Sequence, residues 1–270
     1  MATSLLPVPA FAAPTKAAIA AGHEAESRGA EIYAYDQAAW HSADRLRLDM
    51  ENRGWGLEKV RQEGLSGYIV EPVEDGRLLT SYYGIHGDKP FAVARYWTRG
   101  SEVEKGGFLT DGDDAEMSPL AQLLVQRRHQ AMQLATEQKS FRCTKGNPNI
   151  VVLPPRSDGS VAVYIMSSPV ERGVYPAGGH YLYRFGSNGQ LVSSRAFSNG
   201  CVNIGSSDSS RRPESVVLSH VLDPQPTEIH VFLNYVMQMP LVIVTVGSRD
   251  VWGISEGKVT WLKAVSNEPN

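Results

Sequence analysis

His180-Tyr181-Leu182-Tyr183-Arg184-Phe185, Gly186-Ser187-Asn188-Gly189 and Gln190-Leu191-Val192-Ser193-Ser194-Arg195-Ala196-Phe197 together spell a β-hairpin. Two runs rich in aromatic and β-branched residues flank Asn-Gly, and glycine accepts the positive φ of a tight hairpin turn. Taken as a two-residue type I′ loop, Asn188-Gly189 sets Ser187 opposite Gln190, Phe185 opposite Val192, Tyr183 opposite Ser194 and His180 opposite Phe197. The period of two then sends Tyr181, Tyr183, Phe185, Val192 and Ala196 to one face, the expected core. His180, Leu182, Arg184, Ser193, Arg195 and Phe197 share the other. That second face is either solvated or an anion-accepting surface centred on Arg184 and Arg195, since guanidinium pairs bidentately with carboxylate or phosphate.

Working outward, the same signals recur. Gly67–Val73 and Arg77–Tyr83 flank Glu74-Asp75-Gly76, and Phe91–Trp97 follows a turn at Gly87–Pro90, which makes a β-meander. Strands are expected from Ala39 to Val103. Beyond the middle of the chain the candidates are Ile150–Leu153, Val161–Met166, the hairpin strands, Ser215–Val221, Glu228–Tyr235, Leu241–Val246, Asp250–Ile254 and Lys258–Leu262. Asp158-Gly159, Asn188-Gly189 and Glu256-Gly257 mark turns, and connections this short pair strands antiparallel.

Two helices interrupt this pattern. Thr15 is a candidate N-cap for an Ala- and Glu-rich helix running to about Tyr35, and residues 33–40 read equally as its continuation or as a helix-to-strand transition. Ser118 as N-cap and Pro119 at the first helical position open a central helix to about Lys139. Its apolar stripe is expected at Leu120, Leu123, Leu124, Met132 and Leu134, with Arg127-Arg128-His129 on a solvated face. The fold class is therefore α+β, predominantly antiparallel sheet with an N-terminal and a central helix. The expected organisation is a leader over residues 1–14, a helix–meander–helix part over 15–140 and a β-rich half over 141–265 packed with it as one unit.

Composition narrows the function classes. With 42% hydrophobic residues in 270 the chain can bury a substantial core, and 20% charged residues with a net charge of −3 give no electrostatic case for nucleic acid. No run reaches the roughly 18 apolar residues of a membrane span. Leu5–Pro14 resembles the end of a signal peptide, with Ala10-Phe11-Ala12 as the small-x-small cleavage pattern. A disordered Pro/Ala leader is the alternative. The only cysteines are Cys143 and Cys201. In an exported protein they are expected to pair; in a cytosolic one they stay free thiols.

His180, followed after seventeen residues by Ser198-Asn199-Gly200-Cys201-Val202-Asn203, resembles the motif of the L,D-transpeptidases, which crosslink peptidoglycan through a cysteine thiolate. The resemblance implies Cys201 as nucleophile, His180 as its base, and Ser198, Gly200 and Asn203 as framework. Asn199 stands where that family has histidine. Over most of its length the chain is similar instead to uncharacterised exported proteobacterial proteins. Gly173–Tyr181, Ser194–Phe197, Thr227–Phe232 and Trp252-Gly253-Ile254 carry that resemblance, which implies export and a shared fold.

Other constellations favour structural roles. His180, His220 and His230 lack the short spacing of a zinc site, and the last two read as single histidines inside strands. Asp111-Gly112-Asp113-Asp114 with Glu116 lacks a calcium-loop pattern and suits the start of the central helix. No metal and no cofactor are expected. The reading is a periplasmic or secreted protein that binds an unknown protein or cell-wall ligand, inhibitor-like in one version, without nucleic acid or a membrane span. A cysteine acyl-transferase using Cys201 and His180 is the alternative.

Overall fold

The computed structural model describes residues 13–62, 64–110, 112, 114–169, 171–205 and 213–264. Most of the expected leader, and Asp111 and Asp113 of the acidic loop, lie outside the described residues. The architecture is α+β with mostly antiparallel sheets, as expected. One unit takes in the chain up to Ala30 and from Asp208 onward; the other is Glu31–Ser207. No helix among the described residues is long and apolar enough to cross a membrane.

The N-terminal helix α1 (Lys16–Asn52) is longer than its composition suggests. Thr15 caps it, its hydroxyl accepting the Ala18 N–H at 3.1 Å. The helix then passes through residues 33–40 and beyond Ala39, where strands were expected. Ile32, Tyr35, Ala39, Ser42, Leu46 and Met50 are all buried, at spacings of three or four that define one helical stripe. A short helix α2 (Leu57–Gln62) follows.

In the larger unit the meander forms as expected, in the order β1 (Gly67–Pro72), β2 (Leu78–His86), β3 (Lys89–Arg99) and β4 (Glu102–Phe108). Asp75 and Gly76 both take positive φ in the first turn. One meander face packs Tyr82, Ala94, Tyr96 and Phe108 with Leu46 and Met50 of α1 and Val60 of α2. The central helix α3 (Pro119–Glu137) starts where expected: Ser118 Oγ accepts the Ala121 N–H at 2.9 Å and donates to buried Glu71 at 2.6 Å.

The second sheet is β5 (Asn149–Val152), β6 (Val161–Met166), β8 (Tyr181–Phe185) and β9 (Leu191–Ala196), in that order. A separate pair joins β7 (Val174–Pro176) to β10 (Asn203–Gly205). Helix α3 contributes Ala121, Leu124, Val125 and Ala131 to a core with Ile69 and Tyr83 of the meander and Ile150, Val163, Ile165, Tyr183 and Phe185 of this sheet. Its buried stripe is rotated from the expected one. Met132 is 39% exposed, whereas Arg127 and Arg128, expected on a solvated face, are 6% and 8% exposed. Arg127 donates to Gln126 and Gln130 and lies over the Phe185 ring; Arg128 reaches Tyr83 OH and lies over the Tyr68 ring. Long aliphatic stems and flat guanidinium groups let arginine line a core that its charge alone would leave.

In the other unit β11 (Val216–His220), β12 (Leu241–Thr245), β13 (Asp250–Ser255) and β14 (Lys258–Ala264) lie in sequential order. The segment expected as strand Glu228–Tyr235 is instead helix α4 (Glu228–Met237). Consequently β11 and β12 are parallel rather than antiparallel, because α4 is a crossover connection. The helix begins at Thr227, whose backbone N–H donates to His230 Nδ1 at 3.0 Å. Its polar Asn234 is held by Met239 O, Ile254 O and Gly257 N–H. Gly29 of α1 makes room for α4, since a Cβ there would stand 2.5 Å from Val231 Cβ and 2.7 Å from the Glu228 carbonyl.

Candidate functional site

The hairpin places the sequence-predicted residues. Tyr183 faces Ser194, and the Phe197 N–H bonds to His180 O at 3.0 Å, as the expected register requires. The loop differs: Phe185 faces Leu191 rather than Val192. Gly189 N–H bonds to Gly186 O, Gly186 N–H bonds to Gln190 O, and Gly189 alone of the loop takes positive φ. The turn is thus longer than the two-residue loop, and a bulge follows it. Val192, expected in the core, is 66% exposed. Tyr183 and Phe185 are buried on the expected face.

Cys143 and Cys201 are bonded to each other, their Cα atoms 5.2 Å apart. The bridge sits against Gly178-Gly179. A Cβ on Gly178 would stand 2.1 Å from Gly200 O and 3.2 Å from Cys143 Sγ; on Gly179, 2.5 Å from Ser167 Oγ and 3.0 Å from the same sulfur. Gly179 also takes φ +70°, so both positions exclude side chains. Two serines tie the corner. Ser167 Oγ accepts the Cys143 N–H at 3.1 Å and donates to Gly179 O at 3.1 Å. Ser198 Oγ accepts the Gly179 N–H at 3.2 Å and donates to Gly200 O at 3.0 Å. Sequence reasoning missed Ser167, which carries no local signal and is recruited through strand pairing alone.

His180 follows this corner and is 1% exposed. Its Nε2 lies 3.0 Å from the Pro176 carbonyl, which can only accept, so Nε2 carries the proton and Nδ1 is bare. Nδ1 has no partner. Burial pushes the imidazole pKa down to about 4, against a smaller upward pull from the Pro176 bond. The resting corner therefore holds a neutral imidazole and a bonded sulfur, with no thiolate. Cys201 is exposed and Cys143 half-buried.

Arg184 and Arg195 are diagonal neighbours on the second hairpin face, because Arg184 pairs with Ser193 and Arg195 with Leu182. Both are half-buried. The face changes character along its length. Tyr164, Leu182, His180 and Phe197 are buried, with the Tyr164 and Phe197 rings stacked at 6.2 Å, whereas Ser193 is exposed. Arg195 caps the buried part, its guanidinium 4.6 Å above the Phe197 ring. From Gly173 to Gly205 the sequence contains no Asp or Glu.

The remaining candidates are dispersed. His220 lies in β11, as expected, but His230 lies in α4. Their rings meet edge-to-face at 4.7 Å, and His220 Nε2 is 2.8 Å from Asp223. Among the described residues no three His, Cys, Asp or Glu side chains converge as a metal site needs. Asp36, unnoticed in the sequence, accepts from Gln37 and Asn149, and burial raises its carboxyl pKa to about 6.

No protein-family model matches the chain, and comparison with the curated proteins returns no match either.

Proposed function

We propose that the protein is an exported binding protein of the cell envelope, periplasmic or secreted, which holds a protein or cell-wall ligand and performs no chemistry itself. The Cys143–Cys201 bridge carries this reading, because it uses both cysteines of the chain. Disulfides form and persist in oxidising compartments and are rare in the cytosol. The glycine and serine contacts of the corner suit a structural bridge, and the diagonal pair Arg184 and Arg195 supports an anionic ligand. Fractionation of native cells, followed by alkylation of the denatured but unreduced protein, tests the proposal. The expected result is protein outside the cytoplasm with no free thiol. Cytoplasmic protein with two alkylated cysteines would defeat it.

One observation favours the acyl-transferase alternative. Gly179, which lies against the Cys143 sulfur, directly precedes His180, so the backbone of the histidine adjoins the bridge. That chemistry requires the bridge open and Cys201 as thiolate.

A further inference from the structure

Arg128 of α3 is 8% exposed, and its contacts are all with neutral groups. Its Nη1 donates to Tyr83 OH at 3.4 Å and lies 3.2 Å from Met132 Sδ, while the guanidinium stands 5.7 Å from the centre of the Tyr68 ring. Among the described residues it makes no ion pair; Asp36, whose charge acts on Tyr68, bonds to Gln37 and Asn149 instead. A buried charge without a counter-charge is costly. The geometry shows where one fits. Arg128 can only donate, so the Tyr83 oxygen accepts from it and gives its own proton to His129 Nε2, 3.0 Å away. That chain pins one side of the guanidinium. Nε is sealed in the interior without a partner, whereas Nη2 is neither bonded nor sealed. The remaining Nη1 contact is to a thioether, a weak acceptor, on a Met132 side chain that is 39% exposed. Gly67 keeps the approach clear, since a Cβ there would stand 2.9 Å from Tyr83 OH and 3.1 Å from Arg128 Nη1.

We propose that Arg128 anchors a carboxylate-binding site, in which a ligand carboxylate sets one oxygen on Nη2 and the other on Nη1 in place of the Met132 sulfur. Two parallel N–H bonds match the two oxygens of a carboxylate. Phosphate suits the site less well, because Tyr68, Tyr83, His129 and Met132 offer no second cation for a dianion. The site is separate from Arg184 and Arg195. Helix α3 packs on the hairpin face that carries Tyr183 and Phe185, and those two arginines stand on the opposite face. The inference goes beyond the binding-protein reading and is independent of export and of the disulfide.

The probes are butyrate, a free acid, and acetyl-alanyl-alanine, a peptide end, each compared with its amide. Titration followed by NMR of the histidine ring protons should show at least one acid binding and neither amide, and the acid that binds distinguishes the two sources. Burial and the Arg128 charge lower the His129 pKa; a bound carboxylate offsets that charge, so the His129 pKa should rise. His129→Gln identifies the resonance. Arg128→Gln should weaken binding about tenfold or more through loss of charge-assisted hydrogen bonds. Arg128→Met, similar in length and neutral, should fold at least as stably as wild type and should not bind. Combined Arg184→Gln and Arg195→Gln should bind as wild type does. Acids that bind no better than their amides would overturn the proposal, as would binding that survives in Arg128→Gln or is lost in the double hairpin variant. Tighter binding of inorganic phosphate than of either acid would overturn the ligand class. Silent acids together with a destabilised Arg128→Met would make Arg128 a packing residue.

Discussion

Cys143→Ser and Cys201→Ser are each expected to lower the unfolding free energy by about 4 kcal/mol, the loop-closure entropy of a bridge spanning 58 residues. The bridge restricts the unfolded chain, so most of the loss arises there and not in broken native contacts. The folded state adds little strain on removal, because Ser167 and Ser198 still tie Gly179 and Gly200 together. For a chain of this size the midpoint of thermal unfolding should fall by about 10 °C. Denaturant titration of the oxidised wild type, the reduced wild type and the serine variants measures this. The reduced and mutant proteins should coincide. A loss under about 1 kcal/mol would mean that the unfolded chain already holds the two segments together.

Acidification should expose two opposed buried groups. His180 has a folded pKa of about 4 against an ordinary 6.5. Its contribution is fully present above pH 6.5 and is lost as pH falls toward 4, because the unfolded chain takes up the proton first. The size is about 3 kcal/mol. Asp36 runs the other way. Burial raises its carboxyl pKa to about 6 from 3.8, so its contribution is present below 3.8 and is lost as pH rises through 6. Its effect is somewhat smaller, since Asp36 is only half-buried. Between pH 4 and 6 the two slopes oppose each other in the wild type. Asp36→Asn removes one of them, and the variant should lose about 3 kcal/mol when taken from pH 6.5 to 4, whereas in wild type the two contributions largely offset each other. His180→Gln should reverse the sign of the difference. Parallel pH profiles for wild type and Asp36→Asn would show that Asp36 stays ionised in the folded protein.

Much of the sheet architecture was legible because it is local. Asp75-Gly76 and Asn188-Gly189 mark their turns, alternation assigns Tyr183 and Phe185 to the core, and Ser118-Pro119 announces α3. What escaped depended on distant partners. Ile229, Val231 and Phe232 have strand propensities, and only the crossover between β11 and β12 makes their segment a helix. The helical spacing from Ile32 to Met50 was present in the sequence, but its scattered polar residues obscured it. Arg127 and Arg128 look like a surface cluster until the rings of Phe185 and Tyr68 are brought against them. A bulge displaced Val192, and turn residues alone do not reveal a bulge. At the candidate site the cysteine pairing was one of two open alternatives. Why Gly178 and Gly179 must be glycine emerged only once Cys143 and Gly200 stood beside them.

The central claim is that the Cys201 sulfur is a structural atom in a binding protein, and intact-mass measurement after incubation with a carbapenem-type acylating probe tests it most directly. A bonded sulfur has no lone thiolate to attack the probe, and His180 is neutral and hydrogen-bonded away to Pro176. The account predicts an unchanged mass for native protein. It also predicts that any labelling after reduction is slow and is unchanged in His180→Gln. Rapid formation of one covalent adduct, lost in both Cys201→Ser and His180→Gln, would contradict the account and assign the protein to cysteine acyl transfer.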